Sequence, residues 1–370
     1  MNLSVNKSDL LNSISTAIRA TTTSTTQPIF ACLLLTANED GIQLTGNNLE
    51  LCIQTNPIPV EALGEPGSVA LDAKLFHEIV KKLPDGDVKI VVDEKNIAVI
   101  KSGKREFKIF GENAEEFPAM LEVQSKNRFT TKAAVLRNMI RQTLFTVSLD
   151  MSKPAMTGEL MEVADGKINL VACDGFRIAY RYGDTETDGD SFKVVVPGKT
   201  LREIMRLLPP HEDSEIVMHF TERKILFELD NCRISSQLIE GQFIDYQKPL
   251  NVETKTTAKL NRAEFLSSLE CAQLIAFENN KKTPVKLVIA DDIITITANA
   301  ERGTLHEETQ ASIEGDNLTI AFNPRLLIDA LKVIDDNEVQ IHFSGDKSPC
   351  VICPIDEGNY KYLVLPLRLN

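Results

Sequence analysis

The segment from Val194 to Pro209, VVVPGKTLREIMRLLP, contains an amphipathic helix whose two faces differ in kind. With Lys199 at 0° and about 100° per residue, Leu201, Ile204, Met205 and Leu208 gather at roughly 190°, while Arg202 and Arg206 return beside Lys199. One face requires a core and the other is cationic. The pattern recurs at Val69 to Pro84, VALDAKLFHEIVKKLP, with Phe76, Ile79, Val80 and Leu83 inward and Lys74 and Lys81 outward. It recurs again at Ile320 to Asp335, IAFNPRLLIDALKVID, with Leu327, Ala330, Leu331 and Ile334 inward and Arg325 and Lys332 outward. Lys74, Lys199 and Arg325 are equivalent, at intervals of 125 and 126 residues. That is a domain length, not a solenoid period.

Working outward from these helices, each repeat shows the same order. The first has a strand at Asn2 to Val5, a helix at Ser8 to Ala20, strands at Phe30 to Ala37 and Gly41 to Gln54, the basic helix, and strands at Val88 to Asp93, Ile97 to Ser102 and Glu106 to Phe110. The second has Arg128 to Thr131, a helix at Lys132 to Phe145, strands at Glu159 to Ala164 and Lys167 to Tyr182, the basic helix, then Glu215 to Thr221, Lys224 to Leu229 and Cys232 to Ile239. The third has Lys255 to Leu260, a helix at Arg262 to Ala276, strands at Val285 to Ala290, Ile293 to Ala300 and Gly303 to Ile313, the helix, then Glu338 to Ser344, Cys350 to Pro354 and Tyr360 to Leu367. The chain is expected to be α+β, with three tandem domains at 1–123, 127–249 and 253–370. Two helices cannot cover both faces of so many strands, so each domain should carry its helices on one side of a strand layer.

Length and composition fit this organisation: 370 residues, 43% hydrophobic and 25% charged, suit two or three soluble domains. No apolar run is long enough to span a membrane, and MNLSVNKSDLLNSI lacks the form of a signal peptide. Seven scattered cysteines fit reduced thiols. The expected location is cytoplasmic. A net charge of −13 taken alone argues against a general nucleic-acid binder. The charge is segregated, however: the six helix windows sum to +7 and leave −20 for the rest. A basic helical layer on an acidic body suits sequence-independent contact with phosphates on one surface. The helices carry no interleaved aromatics for base stacking, so duplex is favoured over single strands.

The repeats together with DGFRIAY at Asp174 to Tyr180, VVVPGKTLREI, LIEGQFIDY at Leu238 to Tyr246 and the terminal YLVLPLRLN resemble the bacterial sliding clamp family, the β subunit of DNA polymerase III, over the whole chain. The resemblance implies three copies of the DNA clamp fold per chain and a head-to-tail homodimer forming a six-domain ring. Twelve helices would line its hole. The implied function is that of a processivity factor encircling double-stranded DNA, without catalysis of its own. The implied partners are the replicative polymerase subunit, the clamp loader and other clamp-motif proteins.

By the same resemblance a peptide-binding groove maps to Met156, Cys173, Gly175, Phe176, Arg177, Ile178, Ile244, Lys248, Asn323, Leu326, Leu363, Val364, Leu365, Pro366, Leu367 and Arg368. An apolar slot with a few polar fixings suits a short linear motif with Gln and Leu-Phe anchors. Phe176 stands where His is common in the family, Ile244 where Pro is common, and Lys248 where Arg is common; Lys lacks the bidentate fork of Arg. The loops that touch DNA in the family depart further, with Ser24 in place of an Arg, Asp150 in place of a Gln, and Pro154 and Ala155 in place of aromatics. DNA contact is therefore expected from Lys74, Arg137, Arg141, Lys199, Arg202, Arg206 and Arg325. Phe107 and Ile109 match the family's dimer interface and are expected to face Ala276 and Phe277 of a second copy. They would equally suit the first domain's own core.

Catalytic and metal motifs do not hold up. Pro197-Gly198-Lys199-Thr200 ends like a phosphate loop, but the required first Gly is Lys193. Cys350-Val-Ile-Cys353 has no second pair and reads as a strand. The five histidines have no ligand or triad spacing, and no G-x-S-x-G occurs. No enzyme activity, metal or cofactor is expected. Two further readings compete with a DNA clamp: a nucleotide-dependent enzyme built around GKT, and a repeat scaffold that binds only proteins.

Overall fold

The computed structural model describes residues 1–22, 26–120, 123, 127–187, 191–208, 214–251, 253–278, 281–282, 284–301, 303–356 and 358–368. In the first repeat the elements are β1 (Asn2–Asn6), α1 (Lys7–Ala17), β2 (Cys32–Asn38), β3 (Gly41–Asn47), β4 (Leu51–Thr55), β5 (Ala62–Glu65), β6 (Gly67–Asp72), α2 (Ala73–Lys82), β7 (Asp87–Val92), β8 (Ile97–Ser102) and β9 (Arg105–Phe110). The second runs β10 (Arg128–Lys132), α3 (Ala133–Thr143), β11 (Gly158–Ala164), β12 (Lys167–Cys173), β13 (Arg177–Asp184), β14 (Glu186–Thr187), β15 (Phe192–Pro197), α4 (Gly198–Leu207), β16 (Glu215–Phe220), β17 (Lys224–Glu228) and β18 (Cys232–Gln237), followed by the short α5 (Gln247–Leu250). The third runs β19 (Thr256–Asn261), α6 (Arg262–Ala276), β20 (Phe277–Glu278), β21 (Lys281–Lys282), β22 (Val285–Ala290), β23 (Ile293–Ala300), β24 (Gly303–Gly315), β25 (Leu318–Phe322), α7 (Pro324–Val333), β26 (Glu338–Phe343), β27 (Cys350–Pro354) and β28 (Tyr360–Val364).

The first and third repeats open their helices in the same way. Asn6, Asp72 and Asn323 cap α1, α2 and α7 by accepting from the backbone N–H of Ser8, Leu75 and Arg325. Asn261 accepts from Ala263 and Glu264 at the start of α6. A strand ending in Asn or Asp therefore converts directly into a helix.

Where the expected strands run long, the backbone turns instead. The run Gly41 to Gln54 is two strands, β3 and β4, separated at Leu49, which sits at φ 73°. Lys167 to Tyr182 is likewise divided into β12 and β13 around Gly175 at φ 91°. Asn47-Asn48 and Asp174-Gly175 interrupt the apolar alternation and mark the two turns in the sequence. The last strand stops at Val364, not Leu367.

The chain folds into two compact units. The first comprises Met1–Ala134, Glu186–Asp190 and Arg206–Leu238, and the second Val135–Thr185, Ser191–Met205 and Ile239–Asn370. The division cuts the middle repeat because strand ladders run through the joints between repeats. In the first unit β18 pairs with β4, Ile234 opposite Ile53, giving a nine-stranded sheet β14-β10-β16-β17-β18-β4-β3-β2-β6 beside the five-stranded β5-β1-β7-β8-β9. In the second, β13 pairs with β28, Ala179 opposite Tyr362, within a twelve-stranded sheet β15-β11-β12-β13-β28-β27-β26-β19-β24-β23-β22-β25. The first core packs Leu10 and Ile14 of α1 and Phe76 and Val80 of α2 on Val5, Leu35, Leu44 and Ile90. The second packs Phe265 and Leu269 of α6 and Leu327 and Leu331 of α7 on Leu260, Ile296 and Ile341.

Candidate functional site

The groove positions fall in the second unit, and Cys173, Ile178 and Leu363 lie on the face of the large sheet opposite its helices. Side chains alternate along a strand, so Ile178 on β13 and Leu363 on β28, directly paired, share that face. They join Cys173 at the end of β12, with Met156 and Ile244 packed alongside, in one apolar cluster. Burial pushes the Cys173 thiol up and keeps it protonated, an apolar wall and not a nucleophile. Phe176 and Leu365 stand at the rim, 63% and 39% exposed. The Leu365 N–H donates to the Phe176 carbonyl at 2.9 Å, which holds the tail against the Asp174-Gly175-Phe176 turn. The Leu367 N–H donates to Ala321 O at 2.8 Å and carries the tail onward toward α7. Lys248 is exposed and pairs loosely with Asp245 at 3.6 Å.

Several expected groove residues do other work. Val364 is fully buried on the helix side of the sheet, one residue out of phase with Leu363. It cannot be a ligand contact. Arg177 shares that phase and acts as a strut: Nε donates to Asp174 at 2.8 Å, Nη1 to Asp329 at 2.7 Å and to the Tyr362 hydroxyl at 3.1 Å, and Nη2 to Phe145 O at 3.2 Å. Asn323 caps α7, and the Leu326 carbonyl accepts from the Tyr362 hydroxyl at 3.0 Å. Sequence reasoning missed Leu160, Val171, Phe243, Tyr246, Leu250 and Val351 in the apolar cluster. Leu160, Val171 and Val351 were legible as strand residues without a face assigned. Phe243 to Leu250 lie in a segment without periodicity, whose signal was the LIEGQFIDY resemblance and not a face pattern.

Of the expected basic positions, Lys74, Lys199, Arg206 and Arg325 are exposed on their helices, and Arg202 is half-buried. Arg141 departs from expectation: it donates to Val333 O at 3.1 Å and pairs with Asp335, tying α3 to the end of α7. The Arg137 Nε is buried. Ser24 lies outside the described residues. Asp150 is exposed and accepts from the Ser152 N–H at 2.9 Å, which holds its carboxyl below the usual range, between Leu149 and Met151 at 90% and 73% exposure.

At the expected subunit contact, Ile109 is buried and Phe107 packs partly against the core of the first unit, while Phe110 on the same strand is 79% exposed. Ala276 is 3% exposed within the second unit's core, so it is no surface contact; Leu274, two residues earlier, is 80% exposed. The Phe277 side chain lies outside the described residues. Cys350 and Cys353 are buried strand residues. Among the described residues no group of His, Cys, Asp or Glu could hold a metal ion.

The sequence matches the DNA polymerase III beta subunit in three stretches: its N-terminal domain over residues 1–121, its central domain over 130–245 and its C-terminal domain over 247–368. The chain belongs to the DNA polymerase III beta subunit family. A beta sliding clamp of Bacillus subtilis is 32% identical over 378 residues, covering 100% of both chains, and one of Halalkalibacterium halodurans is 32% identical over 381 residues, again covering 100% of both. The crystal structure of the DNA polymerase sliding clamp from Bacillus subtilis superposes with a TM-score of 0.95 at 31% identity over 100% of each chain. That of the beta subunit from Streptococcus pyogenes gives 0.93 at 29%, also over 100% of each. Three DNA clamp domains and a non-catalytic processivity role in replication follow for this chain. Beta clamps bind DNA, form dimers and engage polymerase and other clamp-binding proteins. No helix among the described residues is long and apolar enough to cross a membrane.

Proposed function

We propose that this chain forms half of a closed ring around duplex DNA, with domains at 1–123, 127–249 and 253–370, and tethers partner proteins through the groove formed by Met156, Cys173, Ile178, Ile244, Leu363 and Leu365. Lys74, Lys199, Arg202, Arg206 and Arg325 supply its cationic inner face, and the cytoplasm is its location.

The observation that carries the reading is the pair of strand edges left over by the repeat. The three hairpins close at Asn38↔Gly41, Ala164↔Lys167 and Ala290↔Ile293. The next ladders pair Gly46↔Ile53, Ala172↔Ala179 and Ala298↔Leu305, so Ile53, Ala179 and Leu305 are equivalent. In the final strands Ile100↔Phe107, Phe227↔Ile234 and Ile352↔Tyr362 make Phe107, Ile234 and Tyr362 equivalent. Both joints inside the chain pair one residue of each set: Ile234↔Ile53 and Tyr362↔Ala179. Phe107 remains on the outer edge of β9, and Leu305 on the stretch of β24 from 303 to 310, whose one ladder among the described residues is to β23, β19 taking 311–315. Carrying the register over places Phe107 of one copy opposite Leu305 of another, Glu106 opposite His306 and Arg105 opposite Glu307. In these three pairs apolar meets apolar and each charged or titratable side chain meets a complement, while Lys108 falls opposite Thr304. Two unlike edges joined head to tail close a two-member ring and cover both.

The test is retention by topology. Loaded onto closed circular DNA and washed in high salt, the protein should stay bound and be released when the circle is cut. Retention indifferent to cutting would leave a protein-binding scaffold in place of a ring.

A further inference from the structure

Beside the groove, on the same face of the large sheet, lie two clefts that share one cation. The first, of about 250 Å³, is lined by Leu250, Thr254, His342, Ser344, Val351 and Lys361. The second, of about 600 Å³, is walled by Tyr180, Tyr182 and Tyr246, with Asp356 and Lys361 on its rim. Leu250 and Val351 belong to the apolar cluster that contains Cys173, Ile178 and Leu363, so the first cleft and the groove share a wall.

The chemistry of the first cleft is one-sided. Its polar lining is the Thr254 and Ser344 hydroxyls, the Asn251 amide, the His342 imidazole, the Cys353 thiol and the Lys361 ammonium, and no carboxylate lines it among the described residues. Lys361 pairs with Tyr180 across the β13–β28 ladder and is half-buried, yet it makes no ion pair among the described residues. The tyrosines do not compete for an incoming acid. The Tyr180 hydroxyl donates to Asn169 at 2.9 Å and that of Tyr246 to Glu162 at 2.6 Å, and their rings stack at 5.7 Å. They are a wall that holds the stem of Lys361. Asp356, the one carboxylate lining the second cleft among the described residues, makes that cleft the poorer place for an anion. An acidic side chain reaching past the apolar cluster would lay its methylenes on Leu250 and Val351 and set its carboxylate among Thr254, Ser344 and Lys361.

We propose that the first cleft is a carboxylate subsite, which takes an acidic residue flanking the linear motif of a partner bound in the groove. The inference rests on the groove reading above and deepens it: specificity would come from the residues beside the motif as well as from the motif itself.

Fluorescence anisotropy with the full-length protein tests it. The probes are a labelled motif peptide beginning in Gln and ending in Leu-Phe, the same peptide with four Glu added at either end, and matched versions with four Ser. One Glu-extended peptide should bind about three- to tenfold more tightly than its Ser counterpart, the gain of a single charge-assisted contact. Lys361→Ala should erase that gain and Lys361→Glu reverse it, with the unextended peptide unchanged in both. Equal affinity of the Glu and Ser peptides, or a gain that survives Lys361→Glu, overturns the subsite while leaving the groove. An unextended peptide that fails to bind the unaltered protein, or binds Leu365→Ala equally well, removes the groove and the subsite together.

Discussion

Glu159 on β11 shows how far one residue can shape the stability of the middle repeat. It is fully buried, with one carboxyl oxygen accepting from the Thr143 hydroxyl at 2.7 Å and the other unpartnered. Burial raises its pKa from 4.5 to about 8, only partly opposed by Thr143. Between those values the folded protein holds a proton that the unfolded chain releases, so stability is greatest below the unfolded value and is lost as pH rises through the folded one. Glu159→Gln should flatten the fall in unfolding free energy between pH 5 and 9, recovering up to about 5 kcal/mol at the alkaline end. Chemical denaturation across that range would show it. A mutant curve that falls as steeply as that of the unaltered protein would place the pH dependence elsewhere. Arg177 is the opposite case, a charge satisfied on every side. Arg177→Ala leaves Asp174 and Asp329 without their cation and should cost about 3–5 kcal/mol, read as a lower denaturation midpoint. A loss under about 1 kcal/mol would mark the network as a surface feature. Neither role could be read from sequence, because a carboxylate in an alternating strand and an arginine after a turn look alike whether solvated or buried.

At the scale of elements, the three basic helices were the most legible part of the chain. An apolar stripe with spacing near 3.6 residues has one stable placement, against a core, and Leu201, Ile204 and Leu208 are buried as that spacing requires. What the stripe leaves outside is cationic, which gives a salt-dependent prediction. Replacing Lys199, Arg202 and Arg206 together by Ala should reduce the magnitude of the slope of log affinity against log salt by up to about 3 on duplex DNA, near one unit per lost phosphate contact. An unchanged slope would remove α4 from the DNA-facing surface. Strands were less legible than helices. Asn47-Asn48 and Asp174-Gly175 are breaks short enough to read as part of one long strand, and the left-handed backbone at Leu49 and Gly175 makes the reversal. A leucine at φ 73° carries strain that Gly175 avoids at the equivalent corner.

For the whole molecule the register derived from the repeat makes the seam testable to the residue. Phe107→Cys combined with Leu305→Cys should, on mild oxidation, give a covalent species of twice 41.1 kDa on a denaturing gel. Moving the second cysteine by one position, to Thr304 or His306, should not, because adjacent strand residues face opposite sides. Cross-linking that ignores this alternation would mean a different register or a different contact. The resemblance places Ala276 at this seam, but its side chain is buried in the core of its own unit. The apolar side chains exposed on these elements are Leu274 and Phe110.

By itself the sequence determined that this chain is three copies of one α+β unit, that the copies carry cationic helices, and that the whole resembles a clamp from end to end. Those facts rest on periodicity and on segments that match in order, both of which are properties of neighbours along the chain. The tertiary structure decided what depends on phase and on distant partners. It put Leu363 on the groove face and Val364 in the core, turned Arg177 from a contact into a strut, and joined β4 to β18 and β13 to β28 so that compact units and repeats no longer coincide. A strand reads the same on either face until its partner strand fixes which side meets the helices, and that partner lies more than a hundred residues away.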